Sequence, residues 1–177
     1  MIEHSRNFED ETSRKAFEKS HQLVLEIFNH VPSLLLNVVP QLEEELKVED
    51  VDIRFIAIST LGEMWATRGV KWVETYPNVW KGWCERFLIP NFRRNDKSLL
   101  IRNTWNEYVG KILKADSGMC HHLESLIKIK LLDPEEKIRI SALKAIGLAA
   151  LEHPTMFSDE LLREVSVRCK DKKVIKN

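Results

Sequence analysis

Three groups of residues have side chains and spacing that could do chemistry. Cys120-His121-His122 has metal-ligating donors. A zinc ion needs three or four such donors converging on one point, and adjacent positions on a helix point about a hundred degrees apart, so this cluster does not make a site alone. Arg93, Arg94 and Lys97 are the densest basic group. They suit nonspecific phosphate contact, which is strongly salt dependent. No interleaved aromatics accompany them, so they read first as a solvated turn and second as a weak contact with DNA or an acidic partner. Trp72, Tyr76, Trp80 and Trp83 form an aromatic group of the kind that anchors interfaces. Trp80, Trp83 and Phe87 fall at helical spacing and read as core, whereas Trp72 and Tyr76, ahead of Pro77, remain candidates for a peptide-docking patch. A glycine-rich phosphate loop, HExxH, CxxC and GxSxG are all absent from the sequence. No catalytic residue, metal or cofactor is assigned, and the chain is not expected to be an enzyme.

The elements that carry these residues are written as a repeat. Ile53-Arg54, Ile101-Arg102 and Ile138-Arg139 recur, and Ile175-Lys176 closes the series with lysine in place of arginine. Eight residues after each arginine comes a glycine, Gly62, Gly110 and Gly147, and an acid stands six residues before two of them, Asp96 and Asp133. Periods of about twenty to fifty residues mark solenoids, in which each unit buries its apolar face only against its neighbours. A glycine inside a helix costs about 1 kcal/mol relative to alanine. Its recurrence at one register therefore predicts a close backbone approach to the adjoining helix. The acid lies at the turn between helices, placed to pair with an arginine of a neighbouring unit. Arg54, Arg102 and Arg139 are accordingly read as structural rather than ligand-contacting.

Apolar spacing of three and four residues makes the helices. Ile138, Ala142, Ala145, Ile146 and Ala149 share one face, as do Ile53, Ala57, Thr60, Leu61 and Met64, and Ile101, Trp105, Tyr108, Val109 and Ile112. Asp133 as N-cap, Pro134 at the first helical position and Glu136 closing a capping box predict a helix starting there. A first helix precedes each of these, over residues 33–46, 78–89, 119–131 and 159–169. No alternating run of β-branched residues bounded by turns predicts a strand. The expected fold is all-α, a right-handed α-α superhelix of about four helix pairs near residues 20–68, 70–115, 118–152 and 158–177, the last incomplete, in one segment of a longer protein.

The 177 residues, 44% of them hydrophobic, suffice for a sizeable core. No apolar run reaches the roughly 18 residues of a membrane span, and the first fifteen residues lack a signal-peptide plan. Three widely spaced cysteines, Cys84, Cys120 and Cys169, argue against a disulfide framework and predict a reducing compartment. Net charge is zero, which disfavours a wholesale polyanion binder. Charge is nonetheless uneven: Gln41 to Asp52 carries six acids against Lys47, and Arg163 to Asn177 six bases against two acids.

Ile-Arg with Asp six residues earlier, in the second helix of a pair, resembles the HEAT repeat, and Pro40 falls where that repeat often kinks its first helix. The likeness covers roughly residues 20 to 177. More narrowly, PSLLLNVVPQLEEEL from Pro32, DPEEKIR from Asp133 and the closing VRCKDKKVIK resemble the cohesin-associated regulators of sister-chromatid cohesion, the fifth protein of the Pds family. That resemblance implies a nuclear, chromatin-associated scaffold without chemistry of its own, contacting the cohesin kleisin and a Wapl-type releasing factor. It places no kleisin-binding residue on this sequence. The HEAT pattern alone would also fit transport receptors, phosphatase scaffolds or condensin subunits. The alternative of another class is a HEAT-like alkylpurine DNA glycosylase, with Trp105 or Trp80 beside Glu107 lining a basic groove.

Overall fold

The computed structural model describes residues 10–31, 33–34, 38–67 and 95–170. Among them are seven α-helices and no strand: α1 (Glu11–His30), α2 (Val39–Glu45), α3 (Val51–Thr67), α4 (Leu99–Ala115), α5 (Cys120–Leu131), α6 (Glu136–Glu152) and α7 (Asp159–Cys169), with a 3-10 turn at Ser117–Met119. The chain divides into two compact units, Met1–Arg93 and Arg94–Asn177.

In the first unit, α1 begins where the Asp10 carboxylate accepts the Ser13 N–H at 2.7 Å, satisfying one of the amides a helix start leaves unpaired. This helix was not anticipated from the sequence. It is mostly polar, and only His21 and Phe28 are buried. The helix expected over residues 33–46 is instead a 3-10 turn at residues 33–34 followed by α2, and Pro40 lies in the first turn of α2 rather than kinking a longer helix. A proline at that position loses no hydrogen bond, since its missing N–H would have had no intrahelical partner. The Asp50 carboxylate accepts the N–H groups of Asp52 and Ile53, at 2.8 and 3.1 Å, and so starts α3. Val39, Leu42, Leu46, Ile53, Ala57, Ile58, Leu61, Met64 and Trp65 are buried here together with Phe28.

In the second unit α4 packs chiefly on α6, α5 on α6, and α7 on α5. The core comprises Ile101, Trp105, Val109, Ile112, Leu113, Leu123, Ile127, Leu131, Ile138, Ala142, Ala149 and Leu161, each almost wholly buried. The start of α6 differs from the expectation: the helix begins at Glu136 with Glu135 as N-cap, not at Asp133. The Asp133 carboxylate is engaged otherwise. It accepts the Glu135 N–H at 3.0 Å, which closes a turn before the helix and turns the capping box into a linker feature.

Candidate functional site

The three arginines share one arrangement. Arg54 Nη1 donates to the carbonyls of Val48 and Glu49, Arg102 Nη1 to those of Asp96 and Lys97, and Arg139 Nη1 to those of Asp133 and Pro134. In each case the acceptors lie six and five residues earlier, in the turn that precedes the arginine's own helix. These carbonyls point out of the helical ladder and would otherwise need solvent. One guanidinium nitrogen therefore fixes the turn against the helix that follows, and the rest of the donor fork, which lysine lacks, can serve another partner.

A second contact joins successive repeats. Arg102 on α4 reaches forward to Asp133, with Nε 3.1 Å from Oδ2 and Nη2 3.4 Å from Oδ1. Lys130, at the end of α5, places its Nζ 3.6 Å from the same Oδ2 and 5.8 Å from the centre of the Trp105 ring. Lys130 is only 1% exposed. A cation so placed is tolerable only with a carboxylate and an aromatic face beside it. Beside this network Asn106, also buried, donates to the Ile138 carbonyl at 3.0 Å and to Ser141 Oγ at 2.6 Å, tying α4 to α6.

The glycines divide. A Cβ added to Gly110 would lie 3.0 Å from both Cα and Cβ of Ala145, so here α4 and α6 do approach at backbone distance. Gly147 is exposed, and a Cβ there would meet nothing within 4 Å among the described residues. Gly62 is buried in α3. Asp96 is buried, and its carboxylate accepts the Ser98 N–H at 2.8 Å.

Lys97 is exposed; Arg93, Arg94, Trp72, Tyr76, Trp80 and Lys176 lie outside the described residues. Trp105 is 0% exposed, so it cannot stack on an extruded base, and the glycosylase arrangement loses its described aromatic. His121 and His122 face each other with ring centres 3.6 Å apart, while Cys120 is buried. Burial, aided by the nearby Glu124 carboxylate, pushes the Cys120 thiol up to about 11, which keeps it protonated and unreactive at neutral pH. Among the described residues no group of three potential ligands could hold a metal ion, and no helix is long and apolar enough to cross a membrane.

Two further polar clusters had no forecast. In the first unit His21 bridges three helices: Nδ1 is 2.9 Å from Thr60 Oγ1 on α3, and Nε2 is 3.2 Å from Glu45 Oε2 on α2. Gln41 holds the other Glu45 oxygen at 3.1 Å. In the second unit Glu124 on α5 accepts the hydroxyl of Ser158, the N-cap of α7, and pairs with Lys128 at 3.1 Å. Lys128 in turn reaches Glu160 at 2.8 Å. Burial raises Glu124, but the bonds from Ser158 and Lys128 outweigh it and hold the carboxyl below its ordinary value. In both clusters the polar groups fasten helices together.

The chain has relatives among known proteins. The family model described as sister chromatid cohesion protein PDS5 matches residues 1–175. The chain is 33% identical over 169 residues to the sister chromatid cohesion protein pds5 of Schizosaccharomyces pombe, covering 93% of this chain and 13% of that protein. To PDS5 homolog B of Homo sapiens it is 29% identical over 156 residues, 88% of this chain and 10% of the other. The fold is similar to that in the solved structure of the Pds5-Scc1 complex, with a TM-score of 0.74 at 18% identity over 93% of this chain and 24% of that one. The chain thus spans a small part of its relatives' length, and the family match over residues 1–175 together with the 33% identity makes it a member of the PDS5 family of sister chromatid cohesion proteins.

Proposed function

We propose that this chain is a scaffold segment through which a longer PDS5-family protein regulates cohesin on chromatin in the nucleus, without catalysis of its own. The observation that carries the reading is the family match across residues 1–175. It is supported by the way the buried polar groups are used, since Arg102, Asp133, Lys130 and Asn106 all join one helix to another. Helices packed on one another in this way present broad surfaces for protein contact. The partners are the kleisin subunit of cohesin and a Wapl-type releasing factor, engaged by protein–protein contact. The kleisin is the better supported, because the similar solved structure is of Pds5 with Scc1.

The test is a binding assay between a purified kleisin and the protein at the length of its relatives. Saturable binding that survives moderate salt is expected. No binding at any attainable concentration would overturn the reading.

A further inference from the structure

We draw no further inference here: the strongest candidate, the buried side-chain cluster of His21, Glu45 and Thr60 where α1 meets α2 and α3, belongs to the helix junctions already described, and no observation among the described residues points to a ligand for it.

Discussion

Gly110 and Gly147 stand at the same register of successive repeats, eight residues after Arg102 and Arg139, yet one is pressed against Ala145 and the other open. Arg102 and Arg139 both clamp their own turn carbonyls, and Arg102 reaches Asp133 of the next repeat as well. The repeated phrase thus has two separable parts. The clamp is local and forms in all three described copies, because its acceptors are five and six residues away on the same strand of chain. The glycine and the acid act between repeats and matter only where a neighbouring helix lies against them.

That distinction can be broken most severely at Asp133. Asp133→Ala leaves the guanidinium of Arg102 and the buried ammonium of Lys130 without their shared carboxylate. Losing one partner of a buried pair costs about 3–5 kcal/mol, and a denaturant melt of the chain should show it. If Asp133→Ala instead melts like a surface substitution, the inter-repeat network is not holding the two helix pairs together.

The glycines sharpen the comparison because alanine should act with opposite signs. Gly110→Ala forces a methyl to 3.0 Å from backbone and Cβ of Ala145, an overpacking worth about 1–3 kcal/mol of destabilisation, offset in part by better helix propensity. Gly147→Ala meets nothing and should stabilise by up to about 1 kcal/mol. Paired thermal melts decide it, and equal shifts in one direction would dissolve the contrast.

The smallest expected effect is on acidification. Glu124 is held below its ordinary value of 4.5, so its contribution to the α5–α7 contact is fully present above that value and lost as pH falls through the lower folded one. The magnitude should be about 1 kcal/mol or less, given the partial exposure of Lys128 and Glu160. Amide exchange across α7 should quicken at low pH before that of α4 and α6, and Glu124→Gln should remove the difference.

Legibility from the sequence followed apolar periodicity. The first helix expected over 159–169 coincides with α7, and that over 119–131 starts one residue before α5, because Leu161, Leu123, Ile127 and Leu131 mark their core faces. The α1 helix was missed because it is mostly polar and buries only Phe28 and a histidine, His21, which periodicity counts as polar. Lys130 was overlooked for the same reason, although it sits in register with Leu123, Leu126 and Ile127 on the inward stripe of α5. Reading that stripe by position rather than by residue type would have found it. The start of α6 misled in another way: Asp, Pro and Glu at 133, 134 and 136 match a helix-start pattern, but the carboxylate that would cap is taken by Arg102 and by the Glu135 N–H. The junction between Arg102 and Asp133 could be anticipated only as a kind of pair, since sequence spacing does not say which arginine reaches which acid.

The arginine clamp also sets where the chain can change length. Arg54 and Arg102 are 48 residues apart and Arg102 and Arg139 only 37, so the interval between successive clamps varies. Within each, the interval from clamped carbonyls to arginine is the same. One residue inserted there would swing the guanidinium by about a hundred degrees around its helix and off both acceptors. Growth and shrinkage are therefore confined to the first helices and the linkers between repeats, leaving the short stretch from turn to arginine as a ruler of fixed length.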